Sequence, residues 1–461
     1  MKKSLTWVIV LILSISMIAA FSFAGCKTTT TTEATTAAET TAAETTAAET
    51  TAAETTAALA PANITFMNSK SEIQAQLEEA AVTFGKENPG VTVEMITAPE
   101  GTSPFERITA LYASGNAPAL AMLDAGQIEL LSEKILDLSG EKWVADCSAQ
   151  NLYFGTVLDG RILAFPFTVE GYAFIYNKAV LDKAYGGSFD PTSIRTLDDL
   201  TSAFEKVKAT GVTPIFISPM DWSLGAHYLT IAYTVQAADY SGVLKFLENL
   251  ESGSVDLMEN AGFNGLMDTF DLMKENNLDK ADPLSGTYEK GPEVLGKGEV
   301  GFWFMGNWAW PQIASFDTAN GAYGFLPVPI SNNAGDRGNS QISVSPTKYI
   351  TVDKEQNSPE QQAAALAFLN WLVYSPSGQD ALVNKAGCIP AFSNFTIAPA
   401  DPLAQSIISY MSKGNTLPMA LSVPTDHWSV LGASMQKYLG GQSDRKGLFG
   451  EIEKYWKNVT E

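Results

Sequence analysis

Ile64-Thr65-Phe66-Met67 is a short apolar run, and residues 72–86 after it repeat Ile73, Leu77, Ala80, Ala81 and Phe84 at helical spacing. Asn88-Pro89-Gly90 stops that helix, because proline and glycine break the pattern that precedes them. Val91-Thr92-Val93-Glu94-Met95 then returns as a strand, residues 105–114 as a helix closed by Gly115-Asn116-Ala117-Pro118, and residues 119–123 as a third strand. This is a βαβαβ unit with short connections, which implies a parallel sheet covered by helices. Ligands of such sheets bind beyond the carboxyl ends of the strands. The residues that carry functional weight are therefore 68–72, 99–102 and 124–127.

Further along, a second alternation begins after Phe165-Pro166-Phe167. Residues 172–176 read as a strand, 197–208 as a helix, 213–216 as a strand, and 301–304 as a strand leading into Met305-Gly306-Asn307-Trp308. Residues 342–352 are strand-like, 359–373 form a long helix, and 426–438 and 448–456 are helical. A single core rarely grows to the four hundred residues of 61–461, so at least two lobes are expected.

The N-terminal stretch has a different character. Lys2 and Lys3 precede about twenty mostly apolar residues, the order of a secretory signal. The run ends in Phe23-Ala24-Gly25-Cys26, which resembles a bacterial lipobox: diacylglycerol on the thiol, and cleavage leaving Cys26 as the new N-terminus. Residues 1–25 would then be a lipoprotein signal peptide. An uncleaved signal anchor also fits the length of the run, and either reading puts the rest of the chain outside the cell. Residues 26–60 are a lipidated cysteine followed by repeats of Thr-Thr-Ala-Ala-Glu. With almost no large apolar side chain, such a segment cannot offset its ordering entropy and reads as a tether.

Composition removes several functions. The formal net charge is -22 and no basic stripe appears, which argues against a nucleic-acid partner. The two histidines, His227 and His427, stand two hundred residues apart, so neither a histidine metal site nor a catalytic triad is expected. No cofactor is expected. Cys147 and Cys388 read equally as a disulfide in an exported domain or as two separate buried thiols. Trp222, Trp308 and Trp428 each follow a break where a helix begins; tryptophan faces stack on the C–H patches of sugars, though core packing is the usual fate of a tryptophan.

Several stretches resemble the extracellular solute-binding proteins of carbohydrate ABC importers, the large group that includes maltose-binding protein. They are Phe84-Gly85-Lys86-Glu87-Asn88-Pro89-Gly90, Ala113-Ser114-Gly115-Asn116-Ala117-Pro118 and Ala164-Phe165-Pro166-Phe167-Thr168-Val169-Glu170-Gly171-Tyr172. Ile175-Tyr176-Asn177-Lys178, Lys297-Gly298-Glu299-Val300, Gly306-Asn307-Trp308-Ala309-Trp310 and Gly387-Cys388-Ile389-Pro390-Ala391 follow in order. The resemblance implies a two-lobed periplasmic-binding-protein-like α/β fold of type II, each lobe a mostly parallel sheet flanked by helices, with a hinge between. It implies three chain crossings, near residues 169–171, 339–343 and 391–394. Lobe one would hold about 61–169 and 343–392, and lobe two about 172–338 and 397–461. Both cysteines then fall in lobe one, which would permit a disulfide between Cys147 and Cys388.

Carried over residue by residue, Trp308 takes the place of the family's stacking tryptophan and Glu170 that of a carboxylate accepting from sugar hydroxyls. Trp428 and Trp222 match aromatics of lobe two. Asn68, Lys70 and Glu72 follow the first strand, Glu100 the second, and Asp124 and Gln127 the third, where relatives contact ligand. Leu123 stands where maltose-binding protein has an aromatic, so that protein's sugar specificity does not carry over. The implied protein is not an enzyme. It is a lipid-anchored, monomeric binding subunit at the outer face of the cytoplasmic membrane, which closes on a sugar or oligosaccharide and delivers it to the membrane permease. A surface glycoside hydrolase, needing two facing carboxylates, and a binding protein for a peptide, ferric ion or other non-sugar solute are the rival readings.

Overall fold

The computed structural model describes residues 59–97, 103–157, 159–317 and 321–459; the signal-like run, Cys26, the tether and Glu100 lie outside the described residues. The described chain falls in the compact unit Ala57–Glu461. Its strands are β1 (Ala62–Asn68), β2 (Val91–Thr97), β3 (Leu120–Asp124), β4 (Phe165–Asn177), β5 (Thr213–Phe216), β6 (Val300–Gly306), β7 (Tyr323–Leu326), β8 (Ile342–Val352) and β9 (Thr416–Leu417).

The expected βαβαβ unit is present. β1 pairs in parallel with β2 and β3, with the helices Gln74–Glu87 and Pro104–Ala113 as the crossovers. Helix Gln74–Glu87 buries Leu77, Ala80, Ala81 and Phe84, the residues whose spacing predicted it, and Ile73 just before it is buried too. Phe84 and Phe66 both meet Phe368 of helix Pro359–Tyr374 edge-on, at ring-centroid distances of 5.2 and 6.1 Å. The stop at Asn88-Pro89-Gly90 works because Gly90 adopts φ 96°, a left-handed conformation that costs other residues energy.

One feature departs from the expectation. Strand order runs β2-β1-β3-β8-β4-β6-β5, so the lobes share a continuous sheet. The strand expected at 172–176 is the second half of β4, thirteen residues long and buried throughout. The first half of β4 pairs antiparallel with β8, and its second half with β6 and β7. β8 likewise reaches β3 at one end and the middle of β4 at the other. Of the three buried clusters that the described residues form around these long strands, one runs from Phe66, Phe84, Trp143 and Phe368 through to Phe216, Val300 and Trp303, and a second gathers Phe174, Tyr228, Phe270 and Phe302.

The disulfide between Cys147 and Cys388 does not form: both are free thiols. Cys147 forms a β-bridge with Phe392, four residues along from Cys388. That pairing sets Cys147 beside residues 391–392 and not beside Cys388. The Cys147 thiol instead lies 3.4 Å from the carbonyl of Ala391, and Cys388 is buried elsewhere.

Candidate functional site

The turn after β1 aims a charge into the interior. Asn68 is buried, and its Oδ1 accepts from the Lys70 amide at 2.9 Å while its Nδ2 donates to the Lys70 carbonyl and to Gln74 Oε1, each at 2.8 Å. Asn68 therefore braces the turn. The buried Lys70 ammonium lies 2.7 Å from Glu72 and 2.5 Å from Glu170. Glu170 sits in the middle of β4, and its other oxygen accepts from the Thr347 hydroxyl on β8.

Burial alone would pull the Lys70 ammonium toward neutrality; Glu170 and Glu72 overcome this and hold its pKa above the ordinary lysine value. Burial likewise opposes ionisation of Glu72, but the charge and hydrogen bond of Lys70 hold that carboxyl below its usual range. Next to this trio, Asp124 at the end of β3 stands opposite Lys348 of β8 and binds its ammonium at 2.5 Å. Gln127 is turned to local use, its Oε1 accepting from the Asp124 amide at 3.2 Å.

The facing elements contribute rings. At the end of β6, Asn307 Oδ1 accepts from the Gly171 amide at 2.9 Å and pins the turn against β4. Gly306 is required there: a Cβ on it would lie 2.0 Å from the Trp308 indole, which folds back over the strand end. Trp308 lies 5.0 Å from the ring of His227, which stacks on Tyr172 at 4.7 Å. Trp222 meets His227 at 5.5 Å and Tyr288 at 5.7 Å. Trp222 and His227 belong to a π-helical segment, Trp222–Tyr228, a rare geometry that recurs at functional sites. Burial pushes the His227 pKa down to about 3, although Asp124 pulls the other way.

Lys70, Glu72, Glu170 and Trp308 come together around one cavity of about 350 Å³, which Trp310, Cys388 and Asp401 also line. Burial raises the Cys388 thiol to about 12 and the Asp401 carboxyl to about 6. Asp124 and Trp222 do not line this cavity, and Asn68 and Gln127 are used in bracing local turns. Trp428, 37% exposed near the start of helix His427–Leu439, does not line it. The reading of the sequence missed His227, Tyr288 and Trp310. Sequence pattern singles out a histidine as a metal ligand or a base, not as a ring among rings. Among the described residues no group of three His, Cys, Asp or Glu side chains could hold a metal ion. Chemically, the site offers fixed carboxylate oxygens to accept hydroxyl hydrogens and flat rings to cover C–H faces.

A family model described as bacterial extracellular solute-binding protein matches residues 68–379, more than half of the chain. An uncharacterized ABC transporter extracellular-binding protein of Pyrococcus horikoshii is 26% identical over 265 residues, 56% of this chain and 54% of that protein. The chain thus spans about half the length of that relative. A probable sugar-binding periplasmic protein of Mesorhizobium japonicum is 26% identical over 333 residues, covering 68% of this chain and 72% of its own length. Among solved structures, RafE in complex with raffinose superposes with a TM-score of 0.69 at 18% identity, over 86% of this chain and 99% of that one. A sugar transporter protein of Bacillus licheniformis in complex with stachyose gives 0.66 at 20% identity, over 87% and 100%. At these identities the likeness to the solved structures is one of fold, and the fold is two-lobed.

Proposed function

The chain belongs to the bacterial extracellular solute-binding protein family, and on that premise we propose that it captures a sugar or oligosaccharide between its lobes and hands it to the permease of an ABC importer. The observation that carries this reading is the pairing of Trp308 with the Lys70–Glu170 ion pair around one cavity. A ring face and a fixed carboxylate are what a pyranose needs, one for its C–H patch and the other for its rim. Two relatives of the same fold have raffinose and stachyose in their structures, and another relative is described as sugar-binding.

Closure follows from the same contacts. Only a closed state sets the ligand against the charges around β1 and β3 and the rings around β6 at once, so ligand shifts the hinge equilibrium toward it. β4 and β8, with the chain near 391–394, are the crossings about which the lobes would turn. Lobe one is then about 61–169 with 343–392, and lobe two about 172–338 with 397–461. Lipid attachment at Cys26 and the Thr/Ala/Glu tether would keep this monomeric clamp at the outer face of the membrane, close to its transporter.

The protein would bind without catalysis. A glycosidase needs two facing carboxyls, one of them held protonated near neutral pH; burial raises Asp401 on this wall to about 6, but Glu72 and Glu170, the carboxylates it could work with, are both committed to Lys70. Titration of the protein with a panel of neutral saccharides, short peptides and ferric ion, followed by tryptophan fluorescence and calorimetry, tests the reading. Micromolar or tighter binding of a saccharide, with the sugar recovered intact after prolonged incubation, is expected. Binding confined to peptides or iron, or cleavage of the sugar, would overturn it.

A further inference from the structure

The charges around the cavity do not balance. Its wall carries the ammoniums of Lys70 and Lys385 and the carboxylates of Glu72, Glu170 and Asp401. Lys70 is taken by two of those carboxylates at once, at 2.7 and 2.5 Å. Lys385 is 38% exposed and held by Glu79, so its charge is spent and solvent-screened. The neighbouring Lys348 is bound to Asp124. His227, the histidine among the rings, is neutral at physiological pH, because burial has moved its pKa far below that range. Arg107, on the helix after β2, is not part of the wall.

We propose that this cavity is a charge filter, admitting uncharged saccharides and refusing those that carry a carboxylate or phosphate. The proposal rests on the saccharide reading above and narrows it. An incoming anion finds each ammonium of the wall already paired and a carboxylate in excess. It would lose its hydration and gain at most neutral donors, with no free counter-charge to offset the loss. A hydroxyl meets the reverse situation, since a carboxylate committed on one side to Lys70 keeps lone pairs with which to accept. Lys70 is a positioning residue in this scheme: it orders Glu72 and Glu170 and neutralises part of their charge without being available to the ligand.

The test compares each neutral saccharide with its own oxidised form. Raffinose and stachyose, and any other neutral sugar that binds in the panel, are titrated by calorimetry alongside the same sugar oxidised at a primary alcohol to the carboxylate. At low salt the oxidised form is expected to bind on the order of a hundredfold more weakly, and the gap to narrow as ionic strength rises. Glu72→Gln removes the excess charge and is expected to cut the neutral-to-oxidised affinity ratio about tenfold, whatever the absolute affinities become. Thermal unfolding of that variant shows whether it is folded, and the salt dependence of the unmodified protein tests the filter independently of it. Equal or tighter binding of the oxidised sugar, or a ratio indifferent to both salt and Glu72→Gln, overturns the filter while leaving the saccharide reading in place. If no sugar of either form binds, both readings fall.

Discussion

The two sides of the cleft are built from different materials. The side formed around β1 and β3 presents Lys70, Glu72, Asp124 and Lys348, all charged and all paired. The side formed around β6 and the π-helical segment presents Trp308 on the cavity wall, and His227, Trp222 and Tyr288 continue from it off the wall as a chain of rings each within 6 Å of the next. Charges give direction and rings give area. A side that supplies only hydrogen bonds competes poorly with water, whose own hydrogen bonds cancel most of the gain. A side that supplies only ring faces buries area without reading the hydroxyl pattern. On the proposed reading neither half would be a complete site, and a tight state would require both.

Substitutions can break this contrast, and the largest effect is expected on the charged side. Lys70→Met leaves Glu170 buried without its cation, and unfolding should become easier by ~3–5 kcal/mol, measured by chemical denaturation. A change under about 1 kcal/mol would mean that the trio is solvated in solution. Trp308→Ala should weaken saccharide binding by ~2 kcal/mol or more, a factor of about thirty, as aromatic anchors do, with little loss of stability; calorimetry decides.

Gly306→Ala sharpens the point, since its methyl would occupy the space of the indole. Affinity should fall nearly as far as in Trp308→Ala, with ~1–3 kcal/mol of stability lost to overpacking. Trp428→Ala should change affinity less than about threefold, because this partly exposed ring is not part of the cavity wall. A loss equal to that of Trp308→Ala would extend the ring side beyond its present boundary.

Acid should act on the ring side as well. Burial depresses His227 and His427 to about 3, whereas an unfolded histidine titrates near 6.5. The unfolded chain therefore takes up protons that the native one refuses, and their contribution is intact above about pH 6.5 and declines as pH falls toward 3. The depressed Glu72 works in the same direction at lower pH. Asp401, raised by burial to about 6, has the opposite sign: its contribution is present below its unfolded value of 3.8 and is lost as pH rises through 6. Melting temperature should thus be lower at pH 4.5 than at pH 7, and substituting His427 by a neutral residue of similar shape should flatten that slope.

Much of this arrangement was readable in the chain. Helical spacing placed Leu77, Ala80 and Phe84 on the buried face, and the residues following each strand included Lys70, Glu72 and Asp124. Periodicity fails for β4, because a strand buried on both sides shows no alternation. Its first half therefore read as a motif and its second as a separate short strand. Trp308 and Trp428 are alike in local sequence context, each at a helix start after a break. They are separated by what their rings meet: a glycine leaves the Trp308 indole room to fold back over the strand, whereas Trp428 stays 37% exposed and off the cavity wall. Tyr288 meets Trp222 from sixty-six positions away and His227 meets Trp308 from eighty-one, a proximity that local pattern does not encode.

The shared strand also governs how the protein can be taken apart. β8 stands between β3 and β4, so a fragment ending after β4 would lose the partner of both. The bare edge of β3 and nearly the whole length of β4 would be left as unpaired apolar strand, the material of edge-to-edge aggregation. Neither half is then a portable module for grafting or separate expression. Insertions of a reporter belong in an exposed connection such as residues 441–442, where the sheet is left whole.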